Sequence, residues 1–253
     1  MKRIIKSVLA MSLGVCCLTG CLPAGSRPVD SANLTLIQLQ PPEEGQDMAV
    51  VTTNVGTIKF VLYEDYAPNT VKQFKALVEE GFYENNPVYA VQKDIGSFFA
   101  GALDETGQTG KTATEDGKGV APEVSESVWH FSGAVSAYGT EEGFLNKKVL
   151  ADSRFFIVGD QPADAEIVDN ITQYHYPDAV IDAYKQLGGV PTITGRYTVF
   201  GQVVDGMDVV NAVVNAETTV DAQGNSTTDP VPDIIIEHIE LTTYSEDAVS
   251  DAA

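Results

Sequence analysis

The fold of this chain is decided by residues 49–63, which read AVVTTNVGTIKFVLY. Two runs rich in β-branched and aromatic residues, 49–53 and 58–63, stand on either side of a turn that contains Gly56. Short β-rich runs that are split by a glycine-containing turn are typical of a β-hairpin. The sequence therefore predicts that the folded domain begins with two antiparallel strands.

A helix is predicted directly after this hairpin. Pro68 and the pair Asn69-Thr70 are helix start signals, and Gly81 is a stop signal. Between these signals the apolar residues recur at helical spacing, at Val71, Phe74, Leu77 and Val78. This pattern predicts an amphipathic helix that packs one face against a sheet.

The second half of the chain adds more strands and a second helix. Residues 155–158 and 197–204 are short apolar runs of strand length, which predict buried strands. Between them, residues 177–189 begin with a proline, carry apolar residues on one helical face and end in two glycines. The last strand is predicted over 234–241, where apolar and polar residues alternate. Together these elements indicate a mainly β fold with two helices.

The N-terminus has the features of an export signal. Lys2, Arg3 and Lys6 precede an apolar stretch, 7–18, that is too short to span a bilayer. The stretch ends in Leu-Thr-Gly-Cys at Cys21, which resembles the bacterial lipobox. We therefore expect residues 1–20 to be a lipoprotein signal peptide and Cys21 to carry the lipid. An ordinary secreted protein with a chance cysteine is the alternative.

Residues 21–47 are rich in proline, glycine, serine and acidic residues, which predicts a flexible tether. Its apolar residues, near 34–39, leave open that this part lies against the domain. The folded domain is predicted over 48–244, and residues 245–253 form an acidic tail.

Charge and cysteine content exclude several classes of site. Cleavage before Cys21 removes the other two cysteines and three positive charges, which takes the formal net charge from −21 to −24. No disulfide, metal cluster or catalytic thiol is then available. A chain this acidic offers phosphates no counter-charge, so nucleic acid is not an expected partner. We expect a monomer kept dispersed by its charge.

Four other features are interpreted structurally. The three histidines, His130, His175 and His238, are too scattered to suggest a metal site. Residues 221–229 share the composition of a calcium loop but not its ligand spacing, so they are interpreted as a solvated hairpin loop.

Several stretches of the chain resemble the cyclophilin family in the same order. Residues 49–74 resemble the family's opening strands and first helix, and Gly81-Phe82-Tyr83 resembles its Gly-Tyr-Tyr turn. Residues 153–157, Ser-Arg-Phe-Phe-Ile, resemble its Ser-Gln-Phe-Phe-Ile strand, and residues 197–210 resemble its closing segment. An ordered array over about two hundred residues is far more specific than any one of these pieces.

This resemblance implies an eight-stranded antiparallel barrel capped by two helices, with a groove for a proline ring on its outer face. Cyclophilins catalyse rotation about Xaa-Pro peptide bonds, whose barrier is about 20 kcal/mol. The enzyme needs only to bind the twisted imide better than the planar forms. We therefore expect no cofactor and no metal.

One half of the implied groove departs from the family pattern. In the family, an arginine within a Phe-His-Arg strand donates to the twisted imide, whereas the matching residues here place Ala90 at the arginine position. A second family segment, Phe-Met-x-Gln-Gly-Gly-Asp, aligns with residues 97–103, where Ala100 replaces the glutamine and Ala102 replaces a glycine.

Two residues are the catalytic candidates. Arg154 stands where the family has a glutamine beside the missing arginine, and the hypothesis is that its guanidinium serves the prolyl carbonyl instead. The alternative is a surface arginine paired with a carboxylate. Tyr197 matches a position held by histidine or tyrosine.

The candidate substrate-binding residues lie on the implied groove. Phe156 matches the phenylalanine of the pocket floor, and Ile193 matches a pocket leucine. For both, ordinary core packing is the alternative. Thr192 stands at a position often held by tryptophan, and the set is completed by Phe98 and Tyr138.

Two functions from different classes fit this sequence. The first is a peptidyl-prolyl isomerase that acts on Xaa-Pro segments of exported proteins and is lipid-anchored through Cys21 on the outer side of the cell membrane. The change to Ala90 puts its activity in doubt and favours a weakened isomerase. The second is a catalytically impaired module that binds proline-containing segments or a protein partner, which the change to Ala90 favours.

Overall fold

The structure is a computed structural model that describes residues 34–144, 147–221, 224–231 and 233–247. The predicted signal peptide, the lipidation site Cys21 and residues 248–253 of the predicted tail lie outside the described residues. Within the described ranges, no helix is both long and apolar enough to cross a membrane.

The described strands are, in chain order, β1 Asp47–Thr53, β2 Gly56–Leu62, β3 Asn86–Pro87, β4 Ala90–Gln92, β5 Ser97–Ala100, β6 Ala134–Glu142, β7 Lys148–Val158, β8 Val199–Asp205, β9 Glu217–Val220, β10 Ser226–Val231 and β11 Ile235–Thr243. Nine of them form one antiparallel sheet in the order β3-β11-β1-β2-β8-β6-β7-β5-β4. The other two, β9 and β10, form a separate hairpin.

The large sheet curls until its two edges meet. The edge strands β3 and β4 are consecutive in the chain, and only Val88 and Tyr89 separate them. The Val88 amide donates to the Ile234 carbonyl on one side, and the Tyr89 amide donates to the Phe99 carbonyl on the other. Residues 86–92 therefore bridge both edges of the sheet, and counting them as one strand gives the predicted eight-stranded antiparallel barrel.

The opening hairpin forms as predicted. β1 and β2 pair in register from Met48 with Val61 to Thr53 with Gly56. The Thr53 hydroxyl donates to the Gly56 carbonyl at 2.6 Å and closes the turn. Gly56 has a φ of +146°, and a Cβ there would lie 2.5 Å from a methyl group of Val209. Glycine is therefore required both by the backbone and by this close approach.

Both predicted helices are present. The first, α1 Pro68–Glu79, buries Val71, Phe74 and Leu77 against the barrel. Its start is capped from a distance, because the Glu123 carboxylate accepts hydrogen bonds from the backbone amides of Asn69 and Thr70. The helix predicted over 177–189 is labelled α3 here and spans Asp178–Leu187, ending at Gly188 with a φ of +74°.

Two more helices were not predicted. The helix α2, Ala165–Gln173, precedes α3 and is capped by Asp164, whose carboxylate accepts from the Ile167 amide at 2.9 Å. The helix α4, Met207–Val214, follows β8. Its sequence is a short apolar run that contains four valines, so its periodicity does not distinguish a helix from a strand.

The barrel strands alternate between two apolar layers. The inner core fills the barrel and includes Phe60, Phe155, Ile157 and Phe200. The outer layer lies on the opposite face of the same strands and includes Phe156 and Val158 of β7. This alternation decides which residues of each strand reach the outer face, where the groove is expected.

The predicted tether is folded over its last part. Leu36 is only 5% exposed and packs with Trp129 and Tyr184. The Gln38 side chain accepts from the Trp129 amide at 2.6 Å and donates to the Trp129 carbonyl at 2.8 Å. We call residues 34–46 the N-terminal strap. Residues from Leu36 onward therefore contact the folded domain, which is the alternative that the sequence left open for residues 34–39.

Candidate active site on the outer face of the barrel

Four aromatic rings lie together on the outer face of the barrel, and we call them the aromatic cluster: Phe99, Tyr138, Phe156 and Tyr197. Phe99 lies 5.2 Å from Phe156 and 5.5 Å from Tyr138, measured between ring centroids. Tyr197 lies 5.4 Å from Phe156 and stacks on Tyr138 at 5.8 Å. These spacings are those of favourable aromatic pairs. Each ring is at most 8% exposed.

Predicted site residues are found at and around this cluster. Phe156, Tyr138 and Tyr197 are members of it, and Ile193 belongs to the same apolar layer. Thr192 lies beside them in the 3-10 turn Pro191–Ile193 and is exposed. The fold therefore brings together predicted residues from β6, β7, this turn and the segment that precedes β8.

Phe98 is not brought to this cluster. It lies in the inner core with Phe155 and Ile157, whereas its neighbour Phe99 points to the outer face and joins the aromatic cluster. Successive residues of a strand point to opposite faces, so a shift of one residue exchanges the two. The resemblance over 97–103 does not distinguish Phe98 from Phe99.

Ala90, which the resemblance places at the family's arginine position, has a small apolar side chain. Ala90 is buried, pairs with Phe99 across the β4–β5 ladder and belongs to the apolar layer of the aromatic cluster. It offers no side-chain donor. Any hydrogen bond to a twisted imide has to come from another residue.

Arg154 lies on β7 with its guanidinium buried, and its side chain is 2% exposed. Its Nε donates to the Asp152 carboxylate at 2.9 Å, and its Nη2 donates to the same carboxylate at 2.5 Å. Nη1 donates to the carbonyls of Gly107 and Gln108, both at 2.9 Å, and Nη2 also donates to the Thr140 hydroxyl at 3.2 Å. Burial alone would lower the pKa of Arg154, but the hydrogen bond and charge of Asp152 raise it overall.

These contacts use the whole hydrogen-bonding capacity of the arginine. A guanidinium has five N–H groups, and each has an acceptor in the folded chain. This arrangement differs from both interpretations of Arg154 given above, because the side chain is neither a free donor in the groove nor a surface arginine. It is a buried anchor beneath the site.

Arg154 also holds in place the loop that covers one side of the site. Gly107 and Gln108 belong to this covering loop, residues 103–110, whose ends are joined by a hydrogen bond from the Leu103 amide to the Thr109 carbonyl at 2.9 Å. A Cβ on Gly107 would lie 2.2 Å from the ring of Tyr89, so the loop backbone lies directly on that ring. The guanidinium also lies 5.1 Å from the Tyr138 ring centroid, within cation–π range.

Tyr89 is a site residue that the sequence reasoning missed. Its ring lies 6.2 Å from Phe99, and its hydroxyl has no hydrogen-bond partner among the described residues. Burial raises the pKa of Tyr89 well above its usual value, so the hydroxyl stays protonated. The signal was available, because Tyr89 stands one position before Ala90 in the strand that resembles Phe-His-Arg.

The other tyrosines of the site also stay neutral. Burial raises the pKa of Tyr138, and it raises the pKa of Tyr197 to about 12. Both are therefore hydrogen-bond donors at neutral pH. Arg196 lies with its guanidinium 5.5 Å from the Tyr197 ring centroid and forms an ion pair with Glu141 at the rim.

His130 lies behind the aromatic cluster. Its ring stacks on Phe156 at 6.1 Å with an angle of 10° between the planes, and neither ring nitrogen has a hydrogen-bond partner among the described residues. Burial lowers the pKa of His130 to about 3. Within the described ranges, no three histidine, cysteine or acidic side chains are grouped in a way that could hold a metal ion.

The loop predicted to begin at Asp221 lies between β9 and β10. Residues 221–225 join β9 to β10, and the Asp221 amide donates to the Asn225 carbonyl at 2.8 Å. This agrees with the prediction of a hairpin loop at this position.

Comparison with known protein families agrees with this architecture. A family model described as "Cyclophilin type peptidyl-prolyl cis-trans isomerase/CLD" matches residues 48–241. A Staphylococcus aureus protein named "Putative peptidyl-prolyl cis-trans isomerase" is 28% identical over 199 residues, which cover 79% of this chain and 93% of that protein. A Staphylococcus epidermidis protein of the same name is 27% identical over the same shares of the two chains.

Solved structures share the fold. A crystal structure of a cyclophilin type peptidyl-prolyl cis-trans isomerase from Cryptosporidium parvum, determined in the presence of the dipeptide Ala-Pro, superposes with a TM-score of 0.56. The two chains are 22% identical, and the match covers 79% of this chain and 99% of the other.

Proposed function

Since this chain belongs to the cyclophilin-type peptidyl-prolyl cis-trans isomerase family, we propose that it binds Xaa-Pro segments at the aromatic cluster and isomerises them slowly. One observation carries the proposal. Phe156, Ile193 and Tyr197 match pocket positions of the family and lie in one apolar layer, together with Ala90 at the position of the arginine.

The aromatic cluster supplies the apolar half of such a site. A proline ring is apolar, so rings and aliphatic side chains bind it by excluding water. The four rings pack against one another and are nearly inaccessible to solvent. Tyr138 is the most exposed of them, at 8%. Entry of a proline ring therefore requires Tyr138 or a neighbouring ring to rotate, and this step costs part of the binding free energy.

The polar half of the site is weaker than in a family member that has the arginine. Neutral hydroxyl groups, those of Tyr197 and Tyr89, are the donors that we propose at this site, because Arg154 is fully engaged. Charge-assisted hydrogen bonds are roughly twice as strong as neutral ones. Removing a preorganised donor typically costs about 10²- to 10³-fold in rate. We accordingly propose a low turnover number.

A recognition module is the second candidate, and the same observation at Ala90 favours it. If no hydroxyl reaches the imide in its twisted form, the site binds the planar forms alone and does not lower the barrier. The chain would then hold proline-containing segments or a protein partner without turnover.

The location of this activity is also part of the proposal. The basic head, the short apolar stretch and Cys21 support export and lipid anchoring at the outer side of the cell membrane. The substrates would then be Xaa-Pro segments of exported proteins, met by a monomeric and strongly acidic domain.

Exchange NMR of a short Xaa-Pro peptide tests the catalytic proposal. We expect full-length protein in detergent to accelerate exchange between the cis and trans peptide signals, and Tyr197→Phe to reduce the acceleration at least about tenfold. The matched control is Tyr174→Phe. Tyr174 lies on the surface after α2, outside the cluster, and the substitution removes the same hydroxyl group there.

Three outcomes are separable in this experiment. Acceleration that depends on Tyr197 supports the isomerase with a tyrosine donor. Peptide binding without acceleration supports the recognition module. Neither binding nor acceleration would refute the assignment of the aromatic cluster as a proline site.

A further inference from the structure

A second cleft adjoins the aromatic cluster. It has a volume of about 480 Å³ and lies between the bridging segment 86–92, the covering loop 103–110 and the hairpin of β9 and β10. The family comparison assigns it no role, and its chemistry differs from that of the aromatic cluster.

The floor of this cleft is apolar. Pro87, Val88, Ile234 and the buried Pro230 contribute to its lining. Leu103, at one wall, is 56% exposed, which is unusual for a leucine beside a concave surface. The floor therefore offers a narrow apolar strip that an aliphatic chain could cover.

The rim of the cleft is acidic. Five acidic residues line it, and the described residues of its lining include no lysine, arginine or histidine. They are Glu84, Asp104, Glu105, Asp229 and Asp233. Asp104, Glu105 and Asp229 already have partners within the folded chain, so the proposal below uses Glu84 and Asp233. Carboxylates of one sign along a concave, partly apolar wall concentrate the electrostatic potential within it.

The cleft lies beside the aromatic cluster. Tyr89 and Ala102 line the cleft and are also members of the apolar layer that contains the cluster. The Tyr89 ring lies 6.2 Å from Phe99, which is about the length of two residues of an extended peptide.

We propose that this cleft binds lysine or arginine residues that flank the proline of an extended peptide. This inference rests on the proposed function, because it names the class of segment that the aromatic cluster receives. A lysine or arginine matches both halves of the cleft, since its aliphatic stem packs on the apolar floor while its charged end reaches the carboxylates.

A divalent cation fits the cleft less well. In the described part of the chain, no three acidic or histidine side chains converge closely enough to coordinate a metal ion. The carboxylates are spread over three segments around an apolar floor, and an apolar floor serves a peptide and not an ion.

Peptides that differ only in their flanking charge test the proposal. Fluorescence anisotropy would compare three labelled peptides with one Xaa-Pro core, flanked by lysines, by serines or by glutamates, on full-length protein in detergent. We expect the lysine peptide to bind at least about fivefold more tightly than the serine peptide, and the difference to shrink at high salt.

The double variant Glu84→Gln/Asp233→Asn locates the effect. We expect it to weaken the lysine peptide by about threefold to tenfold and to leave the serine peptide unchanged. The control Glu166→Gln/Asp169→Asn removes the same charge from exposed positions on α2, outside the cleft, and should affect neither peptide.

The result separates this proposal from the function on which it rests. If the three peptides bind equally well, or if the control variant weakens the lysine peptide as much as the cleft variant does, the cleft proposal is overturned while the proline site stands. If the lysine peptide binds through Glu84 and Asp233 but none of the peptides is isomerised, the cleft proposal holds and the catalytic one fails.

Discussion

Among single side chains, the Asp152–Arg154 pair has the largest expected effect on stability. Both side chains are at most 5% exposed, and the arginine links Asp152 to the covering loop. Removing one partner of a buried ion pair leaves the other charged and desolvated, which typically costs about 3–5 kcal/mol. We expect Arg154→Gln and Asp152→Asn each to lower the free energy of unfolding by an amount in that range.

A double-mutant cycle measured by urea denaturation checks this prediction. The double variant should lose less stability than the sum of the two single losses, because it buries no unpaired charge. Independent losses of less than about 1 kcal/mol each would mean that the pair is solvated and that Arg154 remains available to a substrate.

His130 is expected to make the fold sensitive to acid. Burial lowers its pKa from 6.5 to about 3, so between these values the unfolded chain binds a proton that the folded chain does not. Stability therefore falls as the pH falls through this window, by about 2–3 kcal/mol from this residue between pH 7 and pH 4.5.

The variant His130→Leu measures this contribution. It replaces an unpartnered polar ring with an apolar side chain, so we expect little loss of stability at pH 7. Urea denaturation of wild type and variant at pH 7 and pH 4.5 gives the loss of unfolding free energy between the two pH values for each protein. The difference between the two losses is the contribution of His130, since the contributions of the other titrating groups cancel. An equal loss of stability in both proteins would show that His130 is hydrated or hydrogen-bonded.

Single residues also show where sequence reasoning stops. The place of Ala90 at the family's arginine position stays a prediction from resemblance, because it depends on one residue type at one position. The contacts of Arg154 could not be predicted, because its partners Gly107 and Gln108 lie 46 residues or more away along the chain. Phe98 could not be distinguished from Phe99, since a shift of one residue exchanges the faces of a strand.

Among larger segments, the N-terminal strap makes the clearest prediction. Leu36 is buried against the layer of Trp129, and the Gln38 side chain bonds both Trp129 and Gln202. We expect Leu36→Ala to cost about 2–3 kcal/mol if the strap and barrel unfold together, since large-to-small changes in a core cost at least this much.

Hydrogen exchange distinguishes concerted from local opening. The Ile37 amide donates to the Ser127 carbonyl at 3.1 Å, so its exchange rate reports on docking of the strap. In Leu36→Ala this amide should exchange faster than in wild type, while Leu39→Ala, at an exposed position of the same strap, should change neither rate nor stability. Fast exchange at Ile37 in the wild type would mean that the strap is a tether after all.

The sequence did not determine the docking of the strap or the presence of the two additional helices, and the reasons differ. The strap is polar in composition, and composition predicts disorder unless a few apolar residues find a partner, as Leu36 does. The helix α4 is a short and mostly apolar run, for which periodicity does not distinguish a helix from a strand. By contrast, α1 and the first hairpin carry clear periods and clear stop signals, and both were predicted within a few residues of their bounds.

In the whole molecule, the barrel could be predicted from the sequence, whereas the site could be predicted only in part. The barrel follows from many short strands whose alternation and turn signals agree with one another. The aromatic cluster joins residues from four segments, so its members could be named from resemblance but not from local pattern. The acidic cleft depends on how the covering loop and the β9–β10 hairpin meet, which no local signal predicts.

We propose that Cys21 sets the location of the whole molecule, and the chain provides its own controls. If the proposal holds, we expect Cys21→Ser to release the protein from the membrane fraction into the soluble fraction, because the proposed lipid attachment site is lost. Cys16→Ser and Cys17→Ser should leave the protein in the membrane fraction, since both residues would be removed with the signal peptide. Cell fractionation, with detergent phase partitioning of each variant, measures the difference. If Cys21→Ser stays in the membrane fraction with the other two variants, residues 1–20 anchor the chain by themselves, and the lipoprotein proposal is wrong.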